Sequence, residues 1–390
     1  MPWLHSWHGN CTGDLVNAND LEFRPVTLFL CGDVMTGRGI DQILPCPSDP
    51  VLHEPYVESA VEYVAMAERQ NGPIPRLVDF TYIWGDALEV LNRTAPSVRI
   101  VNLETSITTS LEYESKGINY RMHPANTGCL TAAEVDCCVL ANNHVLDWGP
   151  SGLAETIRTL HEAGIATAGA GRNLTEAWAP AVIKTADSRV LVFAAGTSDS
   201  GIDGAWAASE SSPGVLLLRD LSDKSVDCIA EHVARMKRPG DIAVLSIHWG
   251  GNWGYQIAID QIQFAHRLVD TAGIDVIHGH SSHHPKGIEI YQNRPILYGC
   301  GDFLNDYEGI AGYESFRSHL VLAYLLTMNP RTGTLLHLEI VPFATKRFRL
   351  QYPEHQEERW LFELLERLGK PLGTRLKSGD PSRFSLEWTR

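Results

Sequence analysis

The sequence contains no apolar run long enough to cross a membrane. Its longest apolar stretches, VLVFAAG (190–196) and HLVLAYLL (319–326), have the length of strands or short helices. The N-terminal MPWLHSWHGNCTGDL also lacks the basic segment and the apolar segment that make up a secretory signal. These absences predict a cytoplasmic protein with no membrane partner.

Positive charge is scarce, and the cysteines follow no pattern. Lysine and arginine number 32 against 47 aspartates and glutamates, which gives a net charge of −15. Because such a chain repels polyanions, we expect no nucleic-acid partner, although a single phosphate or carboxylate group remains possible as a ligand. The eight cysteines have no ligand or disulfide spacing, so we expect reduced thiols that pack in the interior.

The chain does contain a series of short apolar runs that end abruptly in polar residues. Continuous apolar runs of this length are typical of strands buried on both faces. Stretches with helical spacing, such as residues 151–164 and 258–273, lie between them. This alternation predicts an α/β layered fold. The expected strands cover residues 26–33, 98–104, 136–144, 190–196, 241–250, 274–280 and 295–303.

Composition divides the chain into three segments. Residues 1–19 form an N-terminal extension, residues 20–345 a main catalytic domain, and residues 346–390 a C-terminal helical appendage. The boundary at 346 is placed where the pattern changes to a charged helix, HQEERWLFELLERLGK, followed by a polar tail. The sequence leaves the oligomeric state open.

Five of the expected strands are followed by a metal-ligand type of residue. In α/β folds ligands bind beyond the carboxyl ends of the strands, so we expect these side chains to converge on one divalent cation. A mixed oxygen and nitrogen set without cysteine suits Ca, Mg, Mn, Fe or Zn, and many oxygen donors favour a hard ion. We expect no organic cofactor. The predicted ligands are Asp33, Glu104, Asn143, His248 and His280.

Local alternatives exist for several of these residues. Asp33 could cap a helix that follows the first strand, and the Asn142-Asn143 pair could form an Asx turn. His248 ends a very apolar strand, so a hydrogen-bonded core histidine is a serious rival to a ligand. The ligand interpretation depends on the whole set rather than on one member.

Six short motifs resemble those of a known family in order and spacing. GDVMTGRG, NLETSIT, ANNHVLDWG, HWGGNWGY, GHSSH and YGCGDF are similar to motifs of the CapA/PgsA family. That family belongs to the calcineurin-like metallophosphoesterase superfamily and is tied to capsule and poly-γ-glutamate synthesis. The resemblance extends over about residues 25–345. It implies a sandwich of two mixed sheets flanked by helices, with the metal at the strand ends.

The motifs depart from those of dinuclear phosphoesterases. Val34 and Met35 follow Asp33 where the superfamily usually has Asp-x-His, so one first-site histidine is missing. The residues that remain could hold one partly hydrated ion more easily than a dinuclear centre. Some relatives of the family resemble peptide epimerases, among them an enzyme that inverts the C-terminal tryptophan of a lasso peptide. We therefore predict a metal-dependent peptide epimerase, an isomerase that modifies a peptide, with a lasso-peptide precursor as one candidate substrate.

Inversion at a Cα atom needs one group that removes the proton and another that delivers it on the opposite face. Imidazoles suit both roles because their pKa lies near neutral pH. We assign these roles to His144 and His283, with Asp302, Asp33 and Asp147 as orienting partners. The cation would stabilise the carbanion through the neighbouring carbonyl or carboxylate. Asp147, three residues after His144, could equally make only a local turn contact.

Five further residues are candidates for substrate binding. Lys286 could contact an anionic group, and the aromatic members could line a pocket for a peptide. Because the chain has ten tryptophans, some of them are expected in the core. The candidates are Lys286, Trp249, Trp253, Tyr255 and Arg38.

Three other functions compete with epimerisation. A phosphoesterase would use metal-activated water, and a non-catalytic scaffold would serve poly-γ-glutamate or capsule synthesis. Nucleotide binding is the third, since GDVMTGRG resembles a phosphate-binding loop. However, Arg38 and Gly39 stand where that loop needs Lys and Ser or Thr.

Overall fold

The computed structural model describes residues 23–379 and 382–388. The expected N-terminal extension, residues 1–19, lies outside the described residues. Eight α-helices and 21 strands occur in the described ranges, connected by loops and short 3-10 turns. The helices are α1 (Ala60–Asn71), α2 (Ala87–Thr94), α3 (Gly128–Thr131), α4 (Gly149–Glu162), α5 (Leu174–Trp178), α6 (Asp223–Met236), α7 (Ile259–Thr271) and α8 (His355–Gly369).

The strands follow the expected apolar runs closely. The two halves of the chain each contribute a group of long, buried strands, and short strands extend the edges. The strands are β1 (Val26–Val34), β2 (Val98–Leu103), β3 (Ser106–Ile107), β4 (Arg121–Met122), β5 (Cys137–Val139), β6 (Ala166–Ala168), β7 (Ala170–Gly171), β8 (Ala181–Lys184), β9 (Arg189–Thr197), β10 (Gly214–Val215), β11 (Leu217–Leu218), β12 (Asp241–His248), β13 (Val276–His280), β14 (Ile288–Tyr291), β15 (Arg294–Leu297), β16 (Asp302–Leu304), β17 (Leu320–Asn329), β18 (Thr334–Lys346), β19 (Arg349–Gln351), β20 (Thr374–Ser378) and β21 (Phe384–Trp388).

Two large mixed sheets form the centre of the fold. Within the described chain, the first sheet has ten strands in the order β20-β21-β18-β17-β1-β2-β5-β6, with β16 beside β1 and β19 beside β18. The second has seven strands in the order β11-β9-β12-β13-β15-β14, with β8 beside β9. The strands β1, β2, β5 and β6 are mutually parallel, as are β9, β12, β13 and β15. The expected sandwich of two mixed sheets with flanking helices is therefore confirmed.

The larger hydrophobic core lies between the two sheets. It contains residues of both, such as Leu30 and Ile100 from the first and Val244 and Val276 from the second. A second core joins the outer face of the second sheet to α6 and α7, where Ile229, Phe264 and Leu268 are buried. This layering explains the unbroken apolar runs, because the central strands are covered on both faces.

One expected strand is divided into two in the structure, because the chain passes from one sheet to the other within it. The run 295–303 forms β15 in the second sheet and β16 in the first, with a break that includes Gly301 at φ +78°. Across this break the Gly301 carbonyl accepts a hydrogen bond from the Asp33 N–H at 3.0 Å. A side chain at Gly32 would collide with this carbonyl, since an ideal Cβ there would lie 1.5 Å from the oxygen. The close approach of the two glycines brings Asp302 beside Asp33.

The C-terminal segment continues the main sheet. Strand β18 ends at Lys346, so it crosses the boundary expected at residues 345 and 346. The hairpin of β20 and β21 pairs with β18, and α8 buries Leu361, Leu364 and Leu365. The helical character predicted for this segment applies to α8 alone. No helix of the described residues is long and apolar enough to span a bilayer.

Candidate metal centre

Polar residues from both sheets meet where the parallel strands end. Asp33 of β1 is opposite Asp302 of β16 on one side and Asn102 of β2 on the other. In the second sheet His248, the last residue of β12, is opposite His280, the last residue of β13. Four of these residues lie at or near the carboxyl ends of their strands, whereas Asp302 is the first residue of β16. The topology collects all five at one edge.

Three buried carboxylates form one half of the centre. Asp33, Glu104 and Asp302 are each at most 2% exposed. The Asn102 amide donates to Asp33 Oδ1 at 2.7 Å. Asp33 Oδ2 and Glu104 Oε2 are buried and find no hydrogen-bond partner within the part of the chain that the structure describes. Buried carboxylate oxygens are costly without a compensating partner. The two side chains lie within hydrogen-bonding range of each other, so a shared proton or a bound cation would compensate them.

Burial and neighbouring negative charge raise the pKa of Asp33 and of Glu104. Burial, followed by the charge of Asp302, raises the pKa of Asp33 to about 7. Burial and the charge of Asp33 raise the pKa of Glu104 well above its usual value. A bound cation would reverse these shifts because it favours the ionised form of each group.

Neutral imidazoles form the other half of the centre. His248 lies with Nε2 3.0 Å from Asn143 Oδ1 and Nδ1 2.7 Å from His280 Nδ1. Burial lowers the pKa of both histidines well below the usual value. A neutral imidazole is the form that binds a metal, and both rings are therefore in the right state.

The donor set fits a divalent cation. Ligand atoms of Asp33, His248 and His280 all lie within 4.8 Å of one another, and so do those of Asp33, His283 and Asp302. Burial raises the pKa of the neighbouring thiols Cys31 and Cys300, which keeps them protonated and unsuited as ligands. The site therefore offers oxygen and imidazole nitrogen, as expected for a hard or borderline ion. Asn143 and Glu104 stand beside these triads as further oxygen donors.

His144 is oriented by two charged neighbours. Its Nδ1 lies 2.7 Å from Asp147 Oδ2 and 3.3 Å from Lys116 Nζ, while its Nε2 lies 3.7 Å from Glu104 Oε1. The Tyr120 N–H also donates to Asp147 Oδ2 at 2.6 Å, which fixes that carboxylate. Burial lowers the pKa of His144 to about 4 although Asp147 opposes the shift. The Asp147 contact leaves Nε2 of a neutral ring as the available proton acceptor.

His283 has a similar arrangement on the other side of the carboxylates. Its Nδ1 lies 2.8 Å from Asp302 Oδ1, and the Asn305 amide donates to Asp302 Oδ2 at 2.9 Å. Burial would lower the pKa of His283, but the charge and hydrogen bond of Asp302 outweigh it and raise the pKa. The two histidines thus have opposite shifts in pKa.

Two tyrosines connect the two histidines. The Tyr120 ring lies edge-on to His144, with centroids 4.6 Å apart, and the Tyr307 ring lies edge-on to His283 at 5.5 Å. The Tyr120 hydroxyl donates to the Tyr307 hydroxyl at 3.0 Å. The pair forms a wall of the centre that runs from one imidazole to the other.

Several residues of the centre were absent from the sequence-based prediction. Asn102 and Asn305 adjoin the predicted motifs, and a carboxamide beside a predicted ligand is a usable signal. Lys116 and Tyr120 come from an irregular loop between β3 and β4 with no periodicity, so nothing in the sequence marks them. The structure also places Asp33 among the ligand atoms, while Asp147 and Asp302 orient the two imidazoles.

The five candidates for substrate binding lie in different environments. Trp253 lies 5.3 Å from the His283 ring and stacks on Tyr313 at 4.0 Å, and Tyr255 lies edge-on to His284 at 4.6 Å. These two rings border the centre. The structure does not bring the other aromatic candidate, Trp249, to the same surface. It is 1% exposed in the outer core, and its indole N–H donates to the Tyr298 carbonyl at 2.9 Å.

Arg38 is engaged within the protein. Its buried guanidinium donates to Asp306 Oδ2 at 3.1 Å and to Glu54 Oε1 at 3.0 Å, and it lies 4.5 Å from the Tyr120 ring. Two carboxylates neutralise this cation, so it supports the Tyr120 wall rather than presenting a free charge. Lys286 is 5% exposed and has a different environment, which is described below.

The protein has two mixed sheets and a carboxylate–imidazole cluster at the strand ends. This combination of fold and centre defines the calcineurin-like class. Residues 27–307 match the family described as bacterial capsule synthesis protein PGA_cap. The chain belongs to this family. The resemblance identified from the six motifs is confirmed.

Curated relatives agree with this assignment. A "probable polyglutamine synthesis accessory protein" of Mycobacterium tuberculosis is 49% identical over 354 residues, which cover 90% of this chain and 93% of that protein. The "PGA biosynthesis protein CapA" of Bacillus subtilis is 25% identical over 300 residues, 76% of this chain and 67% of that protein. The "capsule biosynthesis protein CapA" of Bacillus anthracis is 30% identical over 207 residues, 52% of this chain and 46% of that protein.

Proposed function

We propose that the protein is a metal-dependent enzyme of glutamyl-polymer or capsule synthesis that inverts a Cα centre in a glutamyl peptide. One observation carries the proposal. Two buried imidazoles, His144 and His283, are each oriented through Nδ1 by a carboxylate, and both lie next to the carboxylate cluster. His144 Nε2 lies 3.7 Å from Glu104 Oε1, whereas His283 shares a group of ligand atoms with Asp33 and Asp302. Inversion requires two such groups, whereas hydrolysis of a phosphoester requires a metal-bound nucleophile and one acid.

Each group has a role in this proposal. His144 would remove or deliver a proton through Nε2, since Asp147 occupies its Nδ1. His283, positioned by Asp302, would carry out the opposite proton transfer on the other face of the Cα atom. A divalent cation held by the five predicted ligands would stabilise negative charge on the carbonyl oxygen next to the reacting carbon. The wall of Tyr120 and Tyr307 would exclude water between the two imidazoles.

The names of the relatives support the biological setting. They refer to polyglutamine, PGA or capsule synthesis, and a glutamyl polymer is a peptide with a hydrogen on each Cα. We extend this setting to the present chain as part of the proposal. A lasso-peptide precursor, the other candidate substrate, has no such support and becomes a comparison substrate in the test.

Phosphoester hydrolysis is the second candidate function. It is favoured by the superfamily to which the fold belongs and by the buried triad of Asp33, His248 and His280. Release of phosphate from an aryl phosphate, lost in a His280→Ala variant, would support it. Failure of that release, together with Cα exchange, would leave epimerisation as the reaction.

The deciding experiment measures solvent deuterium in a peptide. Purified protein loaded with Mn²⁺ or Ca²⁺ is incubated in D₂O with a γ-linked glutamate oligomer and, separately, with a peptide ending in tryptophan. We expect deuterium at Cα of the glutamate oligomer, lost in His144→Asn and His283→Asn. His161→Asn, on the exposed end of α4, is the matched control.

The two variants should also differ from each other. With L and D substrates supplied separately, each single variant should lose exchange with one enantiomer more than with the other, because each histidine serves one face. Equal exchange in all variants, or no deuterium at any Cα with the metal bound, would contradict the proposal.

A further inference from the structure

Lys286 is largely buried near the metal centre, and its ammonium group forms no ion pair within the described chain. The residue is 5% exposed. Among the described residues no hydrogen bond or ion pair reaches its Nζ. Burial lowers the pKa of Lys286, and the charge of Asp199, whose Oδ1 accepts from the Gly250 N–H at 3.2 Å, opposes that shift. Lys237, by contrast, donates to Asp275 at 2.6 Å. The ammonium group is not among the fully enclosed unpartnered atoms of the described chain, so it can bind a negative group that enters from solvent.

A second donor, on a largely buried side chain, points to the same place. Gln261 of α7 is 5% exposed, and its Oε1 accepts from the Ala258 N–H at 3.3 Å, which assigns Nε2 as the donor. This Nε2 has no acceptor in residues 23–379 and 382–388. An ideal Cβ at Gly250 would lie 2.9 Å from Gln261 Nε2 and 3.8 Å from Lys286 Nζ. The two donors therefore converge on one small space that the glycine leaves open.

This space adjoins the metal centre. Gly250 follows the predicted ligand His248 by two residues, a span of at most roughly 7 Å. Its carbonyl accepts from Ser281 Oγ at 2.8 Å, and Ser281 follows His280. Lys286 itself lies on the loop between β13 and β14, which also contains His283. Gly250 is half-buried, so the space opens to solvent at this residue.

We propose that Lys286 and Gln261 form a carboxylate-binding subsite next to the metal centre. It would hold the side-chain or terminal carboxylate of a peptide whose neighbouring residue lies at the two imidazoles. One carboxylate oxygen accepts from the ammonium and the other from the amide, which matches two donors to two oxygens. A phosphate would leave oxygens unmatched. The identity of the ligand as a glutamyl peptide rests on the proposed function, whereas the preference for a carboxylate does not.

Calorimetric titration of the metal-loaded protein tests the subsite. The probes are γ-linked triglutamate and its counterpart with every free carboxylate amidated. We expect Lys286→Met to weaken triglutamate binding at least tenfold and Gln261→Met to weaken it severalfold. The exposed Lys224→Met on α6 should bind as the wild type does. The amidated probe should bind all four proteins equally weakly.

Two further measurements keep the result decisive. Thermal denaturation and metal content show whether each variant is folded and loaded. Should Lys286→Met not fold, Gln261→Met carries the test. Triglutamate binding by Lys286→Met as tight as by Lys224→Met would overturn the subsite. Equal binding of both probes by the wild type would overturn it too.

The Cα exchange assay separates this inference from the proposed function. If the wild type prefers triglutamate through Lys286 but exchanges no Cα hydrogen, the subsite stands and epimerisation fails. If exchange occurs but is indifferent to Lys286 and to the carboxylates of the peptide, epimerisation stands and the subsite fails.

Discussion

Asp33 and Asp302 face each other on neighbouring parallel strands, and their carboxylates share a cluster of ligand atoms with His283. They reach this arrangement because the chain leaves the second sheet after β15 and enters the first at β16 beside β1. Two buried carboxylates at such close range repel each other. A divalent cation between them would convert this repulsion into attraction.

The first prediction concerns metal-dependent stability. Removing divalent ions with a chelator should lower the melting temperature, and adding Mn²⁺ or Ca²⁺ at about 100 times the Kd should restore about 2.7 kcal/mol of unfolding free energy. Differential scanning calorimetry of the chelated and reloaded protein measures the change. A melting temperature unaffected by every divalent ion would contradict the assignment of the centre.

The second prediction separates the effect of the Asp33 charge on metal binding from its effect on folding stability. Asp33→Asn should remove most metal binding, because it deletes a ligand atom that has no other partner. The same substitution should stabilise the chelated protein by about 1–2 kcal/mol, since one of the repelling carboxylates becomes neutral. Elemental analysis and denaturant titration measure the two effects. Asp227→Asn, on the exposed face of α6, is the control and should change neither.

The third prediction concerns Lys116 as a positioning residue. Its ammonium donates to Asp147 Oδ1 at 2.6 Å and to the Asn143 carbonyl. Lys116→Met should slow Cα exchange about 10- to 100-fold, as loss of a group that orients a ligand or base usually does. Stability should fall by about 1–3 kcal/mol, because Asp147 is fully buried and loses a charge-assisted hydrogen bond. Unaltered metal content together with unaltered exchange would show that Lys116 serves only to hold its loop.

The fourth prediction concerns acid stability through His284. Its Nε2 accepts from the Gly254 N–H at 3.0 Å, so the folded state needs the neutral ring. Burial is the largest cause that lowers the pKa of His284, from 6.5 to about 4. The resulting stability is therefore complete above about pH 6.5 and is lost as the pH falls toward 4. The full contribution is about 3 kcal/mol.

Denaturant titrations of the chelated protein at pH 7 and pH 4.5 measure this dependence. His284→Phe should lose less stability than the wild type between the two pH values. The difference should be at most about 1.4 kcal/mol per pH unit, which is the effect of one proton. His161→Phe, exposed on α4, should follow the wild type. An identical pH slope in His284→Phe and the wild type would exclude His284 as a source of acid sensitivity.

The apolar runs were sufficient to place the central strands. The expected strands at 26–33, 98–104, 190–196, 241–250 and 274–280 correspond to β1, β2, β9, β12 and β13. The expected strand at 136–144 shortens to β5, Cys137–Val139. Its polar end instead makes a turn in which the Asn142 side chain accepts from the His144 and Val145 backbone. Local side-chain hydrogen bonds overrode the strand there.

The sequence by itself determined the layered fold and the donors at the ends of its strands, because burial on both faces requires unbroken apolar runs and the edge residues follow them directly. Tertiary structure alone decided which donors meet. It joined Asp33 to Asp302 across a change of sheet, placed Lys116 and Tyr120 against His144 from an irregular loop, and turned Trp249 into the core. Such contacts depend on how distant segments pack, and no local spacing encodes that distance.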